Sequence, residues 1–97
     1  MLVNILGRNL RITEAMEANF EEKLSRLDKY FSKEQEAKVK VATFKNEQKV
    51  EITIPFETGL VRAEATDLDV YNALDTAVEK LKKQLTIPEN LDRMIEE

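Results

Sequence analysis

The chain reads as an α+β fold of order β-α-β-β-β-α, a four-stranded mixed sheet with two helices packed on one of its faces. Three observations predict it. Two stretches, Met16 to Phe31 and Val70 to Leu85, repeat apolar residues every three or four positions, the period of a helix with one buried side. Three consecutive stretches between residues 38 and 66 alternate apolar and polar residues, the period of strands with one buried and one wet face. A short apolar segment, Leu2 to Leu6, precedes the first helix, and a right-handed crossover makes its strand a parallel neighbour of the next one. The sheet then has a single apolar face, and both helices must lie side by side on it.

The elements follow in order. Leu2-Val3-Asn4-Ile5-Leu6 is a strand by length and β-branched content, ended by Gly7. Arg8 to Ile12 is a connector with two cations, and Thr13 is placed to cap a helix whose first turn carries Glu14 and Glu17. Met16, Phe20, Leu24, Leu27 and Phe31 form its apolar stripe, which predicts a helix from Glu14 to Tyr30 or Phe31. Ser32 to Glu36 breaks the pattern. Strands over Lys38 to Lys45, Lys49 to Phe56 and Leu60 to Thr66 point Val39, Val41, Thr43, Val50, Ile52, Ile54, Phe56, Val61, Ala63 and Ala65 to one side. Asn46-Glu47 and Thr58-Gly59 are the expected tight connections, and Pro55, which cannot donate to a ladder, belongs near a strand end.

The last helix is expected from Asp67 to Leu85, with Asp67 as N-cap and Val70, Leu74, Ala77, Val78, Leu81 and Leu85 as its buried face. Lys80, Lys82 and Lys83 suit the negative end of its dipole, and Pro88 lies where a helix stops. The expected organisation is one α+β domain over residues 1–85 and an acidic C-terminal tail or short helix over 86–97, anchored by Leu91, Met94 and Ile95.

Composition narrows the function. The 97 residues contain no cysteine and no histidine, which removes disulfides, thiolate chemistry, the commonest general base and the commonest metal ligand. The only serines, Ser25 and Ser32, have no histidine to activate them. Two distant glycines cannot form a phosphate-cradling loop, and no acidic loop has the spacing of an all-oxygen metal site. No enzyme, cofactor, metal or small-molecule substrate is therefore expected. No apolar run reaches membrane-span length and no signal peptide is visible, so a cytoplasmic protein without a membrane partner is expected.

The net charge of −4 disfavours a protein that coats nucleic acid indiscriminately. Yet residues 86–97 set four acids against Arg93 alone, which leaves the rest close to neutral and able to present one basic face. Lys23, Arg26 and Lys29 recur beside the stripe of the first helix, and Lys80, Lys82 and Lys83 do so on the second. On adjacent helices these cations can join into one patch with Arg8 and Arg11 at its margin, suited to phosphate oxygens. The competing reading is a solvated face with intrahelical pairs, Glu22 with Arg26 and Glu79 with Lys83, and spacing alone favours it. The outer sheet face mixes Lys38, Lys40, Lys49 and Arg62 with Glu51 and Glu64 and reads as solvated, and Phe44 is expected in the core or at a strand end.

Two stretches carry a family likeness. Ile5-Leu6-Gly7-Arg8-Asn9-Leu10-Arg11-Ile12-Thr13-Glu14-Ala15-Met16, with Lys23 and Leu27-Asp28-Lys29-Tyr30-Phe31 after it, is the first. Asp69-Val70-Tyr71-Asn72-Ala73-Leu74-Asp75, with Lys80-Leu81 and Lys83-Gln84-Leu85 after it, is the second and more specific. Over roughly residues 2–85 the chain resembles the hibernation-promoting factor and ribosome-associated inhibitor family. The resemblance implies a fold related to double-stranded RNA-binding domains. It also implies a translation inhibitor that occupies the messenger and transfer RNA channel of the small ribosomal subunit and keeps idle ribosomes inactive, often as pairs. Lys23, Arg26, Lys80 and Lys83 stand where the family usually has a cation, with Lys29, Lys82, Arg8 and Arg11 as looser matches. Glu17, where relatives often carry arginine, and the early Pro88 depart from the pattern. Many members carry a second, C-terminal dimerisation domain, so the chain is either a short form or the N-terminal domain of a long one. The alternative from a different class is a protein-interaction module on the same fold, without ribosome binding.

Overall fold

The computed structural model describes residues 1–56 and 59–96, and the side chains of 1–56 and 59–85. Its elements are β1 (Leu2–Arg8), α1 (Glu14–Ser25), a 3-10 turn (Asp28–Tyr30), β2 (Glu36–Phe44), β3 (Glu47–Phe56), β4 (Gly59–Asp67) and α2 (Val70–Glu96). The sheet order is β1-β2-β3-β4, with β1 and β2 parallel and the other pairs antiparallel. Order and connectivity are those the two periodicities predict. Val39, Val41, Val50, Ile52, Ile54, Ala63 and Ala65 are buried on one face, beneath Met16, Phe20 and Leu24 of α1 and Leu74, Ala77, Val78, Leu81 and Leu85 of α2. Among the described residues no polar or charged residue is buried. Thr43, expected on the inner face, is half-buried and donates from Oγ1 to Gln48 Oε1 at 2.8 Å across the hairpin.

The differences from expectation have local causes. Gly7 lies inside β1 rather than ending it. A Cβ there would stand 2.6 Å from the Leu10 carbonyl oxygen, so glycine lets the following loop fold back onto the strand. That loop reverses at Asn9, whose φ of 63° is tolerated by its short polar side chain. The β2–β3 connection is Lys45-Asn46, one residue earlier than expected, because Phe44 still pairs with Glu47. Lys45 takes φ 57° there, a left-handed conformation occupied by a non-glycine residue. In the next connection Thr58 lies outside the described residues, and Gly59 opens β4 opposite Phe56. Phe44 is not in the core: it ends β2 and is exposed. Pro55 is the next-to-last residue of β3, as its missing N–H requires.

Helix α1 stops at Ser25, earlier than its stripe suggests. The chain tightens from there, with Leu27 N–H donating to the Leu24 carbonyl at 2.9 Å and Tyr30 N–H to the Leu27 carbonyl at 3.0 Å. Leu27 and Phe31 remain buried although they flank the 3-10 turn as its N-cap and its extended C-cap rather than continuing the helix. Phe31 packs edge-on against Phe56, with ring centroids 5.6 Å apart. Thr13 caps α1 as expected, accepting from Met16 N–H at 3.2 Å.

On α2 the cap is Asp69, not Asp67. The Asp69 carboxylate accepts from Tyr71 N–H at 2.7 Å, while Asp67, the last residue of β4, accepts from Asp69 N–H at 2.9 Å and turns the chain. Nor does Pro88 end the helix. The backbone is helical from Val70 to Glu96, so the boundary expected after residue 85 falls inside one continuous element. Pro88 has no N–H to give the Gln84 carbonyl, so the hydrogen-bond ladder is interrupted there while the backbone remains helical. The side chains of the expected anchors Leu91, Met94 and Ile95 lie outside the described residues.

Replacing Gly7 by alanine forces the Leu10 carbonyl away from β1. Urea denaturation of Gly7→Ala is expected to give a stability lower by about 1–3 kcal/mol with an unchanged m-value. A stability equal to that of the original chain would show that the loop yields freely.

Candidate nucleic-acid interface

The direction of the helices decides which cations can meet. β4 runs in the same direction as β1, because one parallel and two antiparallel pairings separate them. Each helix follows such a strand and returns along the sheet, so α1 and α2 point the same way, α1 ending at Ser25 and α2 running on to Glu96. They are joined by an ion pair between Lys23 of α1 and Asp75 of α2. That contact sets their level and identifies their facing edges. Asn19, Lys23 and Arg26 recur at four- and three-residue intervals on that edge of α1. Tyr71, Asp75 and Lys82 recur on the matching edge of α2.

Beyond the Lys23–Asp75 contact the two facing edges are basic. Arg26 is the C-cap of α1 and exposed. Lys29 follows in the 3-10 turn, its Nζ 5.2 Å from the centre of the Tyr30 ring. Lys82 lies two turns, or roughly 10 Å, past Asp75, at about the level Lys29 reaches on the other helix. Lys83 is exposed beside it on the outer surface of α2. Arg26 and Lys29 follow the C-terminus of α1, where the backbone dipole favours positive charge, whereas Lys82 and Lys83 lie midway along α2.

The other predicted cations lie elsewhere. Lys80 is on the opposite flank of α2, over β4, where its Nζ donates to the Glu64 carbonyl at 2.9 Å. One turn later Gln84 donates from Nε2 to the Arg62 carbonyl at 2.6 Å and accepts from Arg62 N–H at 3.4 Å. Both residues satisfy backbone groups on the open edge of β4, the groups through which a stray strand would pair. Arg8 points from the end of β1 to the outer face of the sheet, away from both helices, and lines a shallow groove with Leu6, Lys40 and Lys49. Arg11 is exposed in the loop before α1, at the opposite end from Arg26 and Lys29. The structure thus places Lys23, Arg26 and Lys29 on or just after α1 and Lys82 and Lys83 on α2, and sets Lys80 against β4, Arg8 on the outer sheet face and Arg11 in the loop before α1.

Asp75 and Gln84 hold this arrangement, and sequence reasoning assigned neither a role. Their signals were present but ambiguous. A polar residue beside an apolar stripe is normally solvated, and only the neighbouring element reveals a partner. Asn19 is similar: its Oδ1 is buried on the α2-facing edge of α1 without a hydrogen-bond partner among the described residues.

On the outer face of the sheet, Arg62 binds Glu51 at 2.7 Å and Glu64 at 3.3 Å, and Lys49 binds Glu64 at 3.3 Å. The hydrogen bond from Arg62, aided by the Arg62, Lys40 and Lys49 charges, holds the Glu51 carboxyl below its ordinary 4.5 despite some desolvation. The same hydrogen bond raises the Arg62 guanidinium. Among the described residues no helix is long and apolar enough to cross a membrane.

Comparison with known proteins sets this geometry in context. The family described as Sigma 54 modulation protein / S30EA ribosomal protein matches residues 3–87. The chain is 41% identical over 86 residues to the ribosome hibernation promotion factor of Lactococcus lactis subsp. cremoris, a match covering 84% of this chain and 46% of that one. It is 38% identical over 85 residues to the ribosome hibernation promoting factor of Azotobacter vinelandii, covering 88% and 79% respectively. The chain therefore spans about half the length of the Lactococcus factor. In structure it resembles the crystal structure of the Thermus thermophilus Protein Y N-terminal domain, with a TM-score of 0.79, 41% identity and coverage of 87% of this chain and 94% of that one.

The lowered Glu51 pKa gives the fold a pH dependence of known sign. The unfolded carboxyl binds its proton more readily, so the Arg62–Glu51 contact stabilises the fold above the ordinary value of 4.5 and is lost as pH falls through the lower folded value. Thermal melts of Glu51→Gln are expected to lie below those of the original chain at neutral pH, with the gap closing in acid. A gap that persists unchanged into acid would contradict this.

Proposed function

The chain belongs to the Sigma 54 modulation protein / S30EA ribosomal protein family, and on that premise we propose that this domain is a non-enzymatic, cytoplasmic ribosome-binding factor. In this reading it docks on the RNA of the small ribosomal subunit, in the channel that messenger and transfer RNA use, and so keeps idle ribosomes from initiating. The names of its relatives, ribosome hibernation factors, support the ribosome as partner. The single observation that carries the contact surface is the exposure of Arg26 and Lys29 after α1 and of Lys82 and Lys83 on α2, two parallel helices joined by Lys23–Asp75.

The chemistry is electrostatic. Arginine and lysine on this surface can hydrogen-bond phosphate oxygens and displace condensed counterions, a contact that positions a protein on RNA without reading sequence. Lys23 contributes to this surface after exchanging Asp75 for a phosphate. Lys80 holds the β4 edge and reaches RNA only from the flank of α2. Arg11 contacts RNA only if the bound strand passes the opposite end of the helices. Neutral charge over most of the chain permits one basic face without general affinity for polyanions.

Co-sedimentation with purified small ribosomal subunits over a salt series tests this. The original chain is expected to pellet with subunits at low salt and to be released as salt rises. The triple variant Arg26→Gln, Lys82→Gln, Lys83→Gln is expected to lose about tenfold or more in affinity and to reduce the salt slope by about 2–3. Failure of the original chain to bind at low salt, or binding insensitive to salt, overturns the reading. Salt-resistant binding to a purified protein with none to ribosomes would favour an interaction module instead.

A further inference from the structure

The outer face of the sheet is electrostatically divided, and that division points to a second contact surface. Its salt bridges among the described residues all lie on β3 and β4, where Arg62 and Lys49 neutralise Glu51 and Glu64. The half formed by β1 and β2 differs. Its outward positions are Leu2, Asn4, Leu6 and Arg8 on β1 and Glu36, Lys38, Lys40, Ala42 and Phe44 on β2. Arg8, Lys38 and Lys40 are exposed and enter no ion pair with a described residue. Lys40 stands opposite Glu51, but that carboxylate is already held by Arg62 at 2.7 Å. The acid of this half, Glu36, sits at its far end beside Leu2. Leu2 and Leu6 are 58% and 60% exposed along the same strand.

The surface between these residues is concave. A groove of about 230 Å³ lies between Leu6, Arg8, Lys40, Ala42, Lys49 and Glu51. A second, of about 160 Å³, continues past Asn4 and Lys38 and shares Leu6 and Lys40 with the first. Together they form a trough along β1 and β2, lined by Arg8, Lys38, Lys40 and Lys49, by the exposed Leu6 and by the carboxylate of Glu51. Lys38 and Lys40 are two residues apart on one strand, so their side chains leave the sheet about 6.7 Å apart on the same side. That separation is comparable to the distance between consecutive phosphates of an extended nucleic-acid strand, and Arg8 lies one strand over, beyond Lys40. The exposed Leu6 side chain offers apolar surface to a base or sugar, and the lysines and arginine offer donors to the phosphates.

We propose that this trough binds the phosphodiester backbone of a single-stranded RNA segment, so that the domain is held between two RNA elements, one along the helices and one across the sheet. The proposal rests on the ribosome-binding reading and adds a surface to it. It makes Arg8 part of a binding site of its own rather than the margin of the helical patch. The occupant is a polyanion because the unneutralised charge is positive, and single-stranded because a trough on an open sheet can follow a flexible chain.

The test is equilibrium binding of fluorescently labelled protein to purified small ribosomal subunits across a salt series. Lys38→Gln/Lys40→Gln is expected to bind about tenfold or more weakly at low salt and to lower the salt slope by about 1.4–1.8, the loss of two phosphate contacts. Lys38→Arg/Lys40→Arg is expected to restore both, which a merely structural role would not predict. Circular dichroism melts of both variants control for folding. If the glutamine variant keeps the original affinity and slope while the Arg26, Lys82 and Lys83 variant weakens, the sheet proposal is overturned and the helical surface stands. If the original chain does not bind subunits at all, both readings fall together.

Discussion

The sheet is apolar on one side only, and that constraint governs the rest of the molecule. Val39, Val41, Val50, Ile52, Ile54, Ala63 and Ala65 must leave water together, because alternation along three strands puts them on a single face. Four strands of that length need two helices to cover them, which is why a chain of 97 residues has both α1 and α2. Burial of Phe20, Leu24, Leu74 and Leu81 against the sheet is the main gain, and it carries the helices' polar flanks into fixed positions.

Helix α2 shows how one element can serve three neighbours. Its apolar stripe faces the sheet. The edge carrying Asp75 faces α1, and the edge carrying Lys80 and Gln84 faces β4. The last of these solves a problem common to open sheets. An edge strand offers unpaired backbone groups to any passing chain, and α2 occupies three such groups with two side chains. A lysine that sequence spacing assigns to a binding surface is thereby engaged in closing the domain. Charge at a helix surface is therefore a poor guide to function until its reach is known.

An acidic chain and the proposed ribosomal partner are compatible where charge is sorted in space. Glu51 of β3 and Glu64 of β4 are neutralised locally by Arg62 and Lys49. Asp75 is spent on Lys23. On β1 and β2, Arg8, Lys38 and Lys40 enter no ion pair with a described residue. The net charge of −4 thus opposes long-range attraction to a polyanion, while short-range contacts depend on local cations and respond steeply to salt.

The sequence by itself determined the element order, the strand pairing, the buried face and the family likeness. Each of these follows from periodicity over many residues or from long matched stretches, where single exceptions average out. It was less informative wherever one residue had to choose between equivalent partners. Asp67 and Asp69 are both good caps, and only the end of β4 selects Asp69. Leu27 and Phe31 fit an α-helical stripe, yet they flank a 3-10 turn. Pro88 marks a stop in the one-dimensional pattern, yet the backbone continues through it to Glu96. The candidate site was legible as a set of cations but not as a grouping. Whether Lys80 joins Lys83 or reaches Glu64, and whether Arg8 faces the helices or the open sheet, depends on the direction of each side chain from its element. That direction is fixed by packing between segments distant in sequence, and only the tertiary structure decides it.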